Sequence, residues 1–395
     1  MLYSFPHRIG AGRICETAWQ QAAGLASAGA DVVVCSASVH RPLPDEVTTW
    51  PTLSRGAARL PFRLLGDMRT FALHDRIVSR RLRARPNDFD VVHTWPLGAR
   101  ETLRSARALG IPTVLERPNT HTRFAYEVVR LECERLGVEL PPDQEHAHKP
   151  DVLAKEEEEY ELAAYLACPS DFVAKTFVDE GFPAEKLIRD FYGYDESVFH
   201  PLEEPASRRR PFTMLFVGVA AVRKGLHFAL EAWLRSPATS DGRFLIAGEI
   251  LPSYEEKLAP LLAHPSVEPL GHRRDVPALM READALVLPS IEEGSALVSA
   301  EALGSGCVPL VSEVSSGVCT HDRNSLVHPV GDVDTLASQI AELYANPALL
   351  ARLRHGAIAS SSAVTWSAAG ERLLELYDEV VSMTAPRRAE AVAAL

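Results

Sequence analysis

From residue 2 to residue 311 short apolar, β-branched runs alternate with stretches of helical spacing, and this alternation constrains the fold more than any other feature. Leu2–Phe5, Val32–Ser36, Val91–Thr94, Thr113–Glu116 and Leu166–Pro169 read as strands in the first half. Thr17–Ala28, Ala99–Leu109 and Arg123–Leu136 read as helices among them. The second half repeats the rhythm. Phe212–Val217, Phe244–Ala247, Val267–Leu270, Ala285–Leu288 and Val308–Val311 read as strands, with Leu226–Leu234, Glu255–Leu262, Val276–Glu282 and Ala296–Leu303 as the intervening helices. Such alternation builds βαβ units, hence parallel sheets with helices on both faces. Three prolines and a charge cluster make residues 200–211 a linker candidate. The expected architecture is α/β, with two doubly wound domains facing each other across a cleft. Ligands of such sheets sit at the carboxyl ends of the strands.

Charge and cysteine content narrow the function. The net charge of -12 argues against a protein that grips a phosphate backbone, so no nucleic-acid partner is expected. The six cysteines form no C-x-x-C pair, which excludes the usual zinc signature and a disulfide framework and fits a reducing compartment. The N-terminal residues lack an apolar signal core, and no run reaches the ~18 apolar residues of a membrane span. The expected location is cytoplasmic, with a peripheral position at the inner membrane face left open.

Three turns carry candidate chemistry. Gly10-Ala11-Gly12 follows the first strand, where glycines let backbone N–H groups approach a phosphate. Cys15 stands where a dinucleotide fingerprint has its third glycine, and no acid follows Val32–Ser36, which counts against NAD. Gly218 opens a second strand–turn–helix unit with Arg223 and Lys224 in its turn, a fork and a point charge suited to a diphosphate. The third turn is the most specific. Glu293 stands just before a helix and Glu301 inside it, and the residues from Ser295 to Glu301 advance ~9 Å along the axis. That is the order of the gap between the two sugars flanking a diphosphate. Free N–H groups at Ser295, Ala296 and Leu297 suit the diphosphate, and carboxylates suit vicinal hydroxyls. The bland reading is a helix cap and one surface glutamate. Neither Asp88-Phe89-Asp90 nor Asp332-Val333-Asp334 is read as a metal site; the second reads as a helix cap. The run Glu156–Glu159 reads as the wet face of a helix, and no G-x-S-x-G nucleophile turn is present.

Together the second and third turns resemble glycosyltransferase family 4, retaining enzymes of the GT-B fold, and the resemblance covers nearly the whole chain. The Glu293–Glu301 spacing is similar to that family's paired-glutamate motif, and Arg223-Lys224-Gly225 to its donor-phosphate motif. Asp90-Val91-Val92-His93 and Glu116-Arg117-Pro118-Asn119-Thr120-His121 resemble its acceptor-side segments, and Trp366 resembles the start of the helix leading back to the N-terminal domain. Val219 stands where the family often has arginine, Trp95 where it often has a second histidine, and Ser295-Ala296 where it has Phe-Gly.

The resemblance implies two Rossmann-like domains. Residues 1–200 form the acceptor side, joined by a C-terminal helix at about 370–395, and residues 201–369 form the donor side. It implies transfer of a sugar from a UDP- or GDP-type nucleotide sugar to a hydroxyl of a saccharide, lipid-linked or small natural-product acceptor. No cofactor and no metal are implied. Glu293, Arg223, Lys224 and His121 become the catalytic candidates. Gly10, Gly12, Gly218, Ser295, Ala296, Leu297, Glu301, His272 and Arg273 become donor contacts, and His93, Trp95, Asn119 and His121 acceptor contacts. A GT-B epimerase and a catalytically silent nucleotide-sugar-binding or scaffold protein are the alternatives.

One stretch stands apart from this reading. Arg55–Arg85 carries nine arginines and two aspartates, a net +7 in a chain of -12. It reads as a helix whose apolar side packs on the first sheet, with at most weak, salt-sensitive membrane contact.

Overall fold

Each half of the alternation closes one parallel sheet. The computed structural model describes all residues except 57, 61–65, 203–209, 316 and 394–395, and no side chain beyond Thr384. Most of the expected linker and the Pro61–Leu65 part of the arginine-rich stretch therefore lie outside the described residues.

The first sheet comprises β1 (Leu2–Ile9), β2 (Val33–Val39), β3 (Thr48–Thr49), β6 (Val92–Thr94), β7 (Thr113–Glu116), β8 (Tyr165–Cys168) and β9 (Leu187–Arg189), in the order β3-β2-β1-β6-β7-β8-β9. The pair β4 (Ser54–Arg55) and β5 (Ala58–Arg59) forms a separate small hairpin. The helices of this half are α1 (Ile14–Ser27), α2 (Asp67–Ala84), α3 (Arg100–Ala108), α4 (Thr122–Leu136), α5 (Pro150–Leu162) and α6 (Asp171–Asp179).

The second sheet is β12 (Val267–Gly271), β11 (Arg243–Ala247), β10 (Thr213–Val217), β13 (Ala285–Leu288), β14 (Val308–Ser312) and β15 (Leu326–His328), in that order. Its helices are α7 (Leu226–Arg235), α8 (Pro252–Leu262), α9 (Val276–Glu282), α10 (Leu297–Ser305), α11 (Val333–Ala345) and α12 (Pro347–Ser361). The last helix, α13 (Trp366–Ala393), returns to the first domain. It buries Leu373, Tyr377 and Val380 among Tyr3, Phe5 and Ile9. A Cβ on Gly370 would lie 2.4 Å from the Gly24 carbonyl carbon, so α1 and α13 cross in backbone contact.

The order of each sheet positions the site. In both, the first strand lies inside and its neighbours lead the chain away in opposite directions. That is the switch point where a crevice opens at the strand ends. The turns after β10 and β13 are neighbours there, which is why two segments about 70 residues apart share one site. Helix α4 and the residues after it cross the cleft. Val129, Cys133, Leu136 and Val138 are buried in the core of the second domain, not the first.

Several local expectations change. Strand β1 runs on past Pro6 to Ile9, through a register shift between Phe5 and Arg8 that accommodates the proline. Helix α1 starts at Ile14 rather than Thr17. The Glu156–Glu159 run is not a wet face. Glu159 accepts from the N–H groups of Leu97 and Ala99, and Glu156 pairs with Arg117 at 3.0 Å. Asp332 does cap α11, accepting from the Thr335 N–H at 2.9 Å.

Candidate active site

The turn after β10 presents Arg223 and Lys224, and the turn after β13 presents Glu292 and Glu293. The two turns pack backbone to backbone: the Ile291 N–H donates to the Arg223 carbonyl at 2.8 Å. Gly225, at φ +67°, has room for no side chain, because a Cβ there would lie 2.0 Å from the Pro289 carbonyl oxygen. Arg223 donates to Glu293 at 3.1 Å and to the Glu292 carbonyl at 3.2 Å, and Lys224 donates to the same Glu293 oxygen. Ser290 Oγ adds a bond to Glu293 at 3.3 Å. Burial pushes the Glu293 carboxyl up, but Lys224 and Arg223 outweigh it, and Glu293 is held ionised below its ordinary range. Burial, with Arg223 beside it, lowers Lys224 against the pull of Glu293.

Beyond this cluster α10 points its N-terminus into the cleft. No side chain caps it, so its first N–H groups, around Ser295, Ala296 and Leu297, are those of an uncapped helix start. Glu301 lies one turn further in, half-buried, its carboxyl pushed up to about 7 by burial. Gly218, at φ +133° just after β10, has open space where a side chain would stand. His272 and Arg273 are exposed at the end of β12, where Arg273 pairs with Asp275 at 2.5 Å. The second domain thus gathers two cations, two carboxylates, a helix start and a further carboxyl at one crevice.

The first domain faces this cluster with the turn after β7. A Cβ on Gly294 would lie 1.7 Å from the Pro118 carbonyl oxygen, so the two domains touch at the glutamate turn itself. Arg117 stiffens the approaching loop. Its guanidinium is buried, donates to the Thr120 carbonyl and Thr122 Oγ1 as well as to Glu156, and stacks over the Tyr160 ring at 4.3 Å. Asn119 is half-buried beside Gly294. Gly10 and Gly12, at φ +76° and +87°, adopt left-handed backbone after β1; Gly12 opens to free space, whereas Gly10 backs onto Arg41.

Residues 16–189 match the family model described as Glycosyltransferase Family 4, and residues 211–346 match the one described as Glycosyl transferases group 1. The chain belongs to glycosyltransferase family 4. This glycosyltransferase is 25% identical to the D-inositol 3-phosphate glycosyltransferase of Thermobispora bispora, over 90% of its own chain and 87% of that one. It is 28% identical to D-inositol 3-phosphate glycosyltransferase 1 of Catenulispora acidiphila, over 75% of its chain and 73% of that protein. Its fold is similar to that of sucrose-phosphate synthase from Thermosynechococcus elongatus, with TM-score 0.69 at 17% identity, covering 97% of this chain and 99% of that one. It is also similar to Anabaena HepE in complex with UDP, with TM-score 0.65 at 15% identity, covering 96% and 99%. The two facing Rossmann-like domains are the GT-B arrangement.

Within this glycosyltransferase three residues expected on the acceptor side lie in the interior. His93 is fully buried, stacked on Tyr3 with ring centroids 4.7 Å apart and bonded to the Tyr377 hydroxyl at 2.7 Å. Burial pushes it down to about 3. Trp95 donates from its indole to the Tyr3 hydroxyl at 2.7 Å and is a core residue. His121 caps α4, accepting from the Arg123 N–H, and its ring packs edge-on against Tyr160 and Phe177. Burial, with Arg117 and Arg123 nearby, lowers His121 to about 3. His93 lies within β6, Trp95 just after it and His121 at the start of α4, and all three side chains are buried.

Two residues of the glycosyltransferase were not foreseen. Glu292 is fully buried between the domains, and His146 reaches it from the chain following α4. Among the described residues no group of three His, Cys, Asp or Glu side chains is placed to hold a metal ion, and no helix is long and apolar enough to cross a membrane.

Proposed function

We propose that this glycosyltransferase moves a sugar from a UDP- or GDP-type nucleotide sugar to an acceptor hydroxyl, with retention of anomeric configuration. The observation that carries the reading is the ion-paired cluster of Arg223, Lys224 and Glu293 beside the uncapped start of α10, with Glu301 one turn into that helix. Bond breaking places negative charge on the leaving diphosphate. Two preorganised cations and a helix N-terminus stabilise that charge where it develops.

The acceptor hydroxyl attacks the anomeric carbon from the side the diphosphate leaves. Its proton passes to the departing phosphate oxygen, so no side-chain nucleophile is needed. Glu293 orients the transferred sugar, and Glu301 accepts from the ribose hydroxyls. The seating of Pro118 on Gly294 excludes water from the reacting centre. Two findings about other proteins support a nucleotide-sugar donor: the Anabaena HepE structures hold UDP or UDP-glucose, and the relatives from Thermobispora and Catenulispora are named as sugar transferases.

The test is turnover of a panel of UDP- and GDP-sugars with saccharide, lipid-linked and inositol-phosphate acceptors, with and without EDTA. Transfer is expected without added metal, and Glu293→Gln is expected to slow it by roughly 10²-fold with the fold intact. Activity abolished by EDTA and restored by Mg²⁺ or Mn²⁺, or a Glu293→Gln rate within a few-fold of wild type, rejects the mechanism.

A further inference from the structure

We propose that His146 and Thr120 are positioning residues, which set the geometry of the Glu292–Glu293 turn from the opposite domain. Glu292 belongs to the second domain, yet both its carboxylate oxygens are held by the first. Thr120 donates to Oε1 from its backbone N–H at 3.2 Å and from its hydroxyl at 2.7 Å. His146 Nε2 bonds Oε2 at 3.0 Å. All three residues are buried. Burial pushes the Glu292 carboxyl up, but His146, Arg223 and Thr120 outweigh it and hold it ionised.

A buried carboxylate with its partners removed is costly and re-partners at once. The nearest cation is within its own domain: Arg223 Nη1 is 3.6 Å from Glu292 Oε2, and the same nitrogen holds Glu293 at 3.1 Å. If the first domain lets go of Glu292, the carboxylate turns toward Arg223 and competes with Glu293 for it. The position of Glu293, the residue placed against the sugar, is therefore tied to the presence of the first domain. Gly294 reinforces the coupling, because its missing side chain is the space occupied by Pro118.

The segment that carries His146 is itself anchored on the second domain. Val138 is buried there, and Ser253 Oγ donates to the Glu139 carbonyl at 3.2 Å. A second contact, Glu132 with His227 at 2.8 Å, joins α4 to α7 away from the glutamate turn. Loss of the His146 bond therefore loosens the turn without separating the domains.

The consequence is that donor binding, made within the second domain, is separable from sugar transfer. The kinetic part rests on the proposed glycosyl transfer; the structural part does not. The experiment compares His146→Ala with His146→Gln, whose amide can donate to Glu292 from nearly the same place as Nε2. Amide hydrogen exchange on the full chain should show faster exchange in residues 290–297 of His146→Ala, on the order of tenfold, as for loss of one charge-assisted hydrogen bond. Peptides from β10 and from α4 should be unchanged, and His146→Gln should match wild type. Transfer by His146→Ala should fall by a similar factor while UDP affinity stays within about threefold. Unchanged exchange in residues 290–297, a glutamine variant as fast-exchanging as the alanine one, or a rate loss matched by lost UDP affinity overturns the assignment. A wild type that turns over no nucleotide sugar overturns glycosyl transfer instead, and the exchange comparison still decides the role of His146.

Discussion

Donor binding should tighten about tenfold between pH 6 and pH 8, through Glu301. In the free protein burial pushes its carboxyl up to about 7. An ionised carboxylate accepts from two vicinal hydroxyls, whereas the protonated acid presents a donor in place of one acceptor. The ligand therefore prefers the ionised form and lowers the pKa on binding. With a free-protein value near 7, the apparent Kd is multiplied by one plus ten to the power of pKa minus pH. That factor is about 11 at pH 6, about 2 at pH 7 and about 1.1 at pH 8, a span of roughly 1.4 kcal/mol. The probe is UDP-glucose, or GDP-mannose where only that binds at pH 8, because a diesterified diphosphate does not itself titrate in this range. Calorimetry in two buffers of different ionisation enthalpy should record nearly one proton released per ligand at pH 6 and almost none at pH 8. Glu301→Gln keeps the shape and loses the charge, so its affinity should be flat. A wild-type Kd equal at pH 6 and pH 8, or a wild-type slope retained in Glu301→Gln, refutes the placement of the ribose at Glu301.

Lys224→Ala should weaken a nucleoside diphosphate by at least ~10-fold and the bare nucleoside by less than ~3-fold, since the ammonium serves the phosphates; equal losses by calorimetry reject that role. Asp190 lies in the first domain with Gln21 bridging it to Glu116 at 3.4 and 3.1 Å, and burial, with Glu116 nearby, pushes its carboxyl well up. A carboxyl whose folded value is raised contributes its full stability below the unfolded value, about 4, and loses it progressively as pH rises from there toward the folded value, so the melting temperature should fall as pH rises above about 4 in wild type and fall less in Asp190→Asn; parallel melting curves for the two proteins refute this. Arg69, Arg76, Arg80 and Arg83 form an exposed stripe on α2 with no ion-pair partner among the described residues. Binding to anionic vesicles should accordingly be weak and lost by about 0.5 M salt; co-sedimentation that survives such salt shows a stronger membrane contact.

The second half of the site was legible because its parts are contiguous in sequence and fall on neighbouring strands. Glu293, Glu301, Arg223 and Lys224 each lie within a few residues of a strand end that hydrophobic runs mark clearly. The first half was harder to read. His93, Trp95 and His121 are polar or amphipathic residues near strand ends, and sequence alone does not say which way each side chain turns. In a sheet covered on both faces the answer is inward, onto Tyr3, Tyr377 and Phe177. The Glu156–Glu159 run misled for a related reason. Charge suggests solvent, but Glu159 finds two backbone donors and Glu156 a buried guanidinium, partners supplied by segments about 40 to 60 residues away. Three-residue strands such as β9 and β15 are too short for any period to show. The pair His146 and Glu292 left no sequence signal, because its spacing of 146 positions reflects the meeting of two domains and not a motif.

Charge balance in the crevice explains how donor binding would proceed. Arg223, Lys224, Glu292 and Glu293 sum to zero, which lets four charged groups share a nearly dry site in the free protein. A donor diphosphate brings two negative charges into that balanced cluster, so some pairing within it must break. Arg223 is poorly placed to move. It is tied to the Glu292 carbonyl and to Glu293, and its own backbone carbonyl holds the Ile291 N–H. Lys224 has a flexible stem and Glu293 as its carboxylate partner. On the proposed mechanism Lys224 is the group that swings from Glu293 to the phosphates, while Arg223 stays as the fixed donor. The exchange has a second effect. It removes one of the three donors on Glu293 Oε1, leaving Arg223 and Ser290 to hold that oxygen, so the carboxylate that neutralised the empty site gains acceptor capacity to orient the substrate.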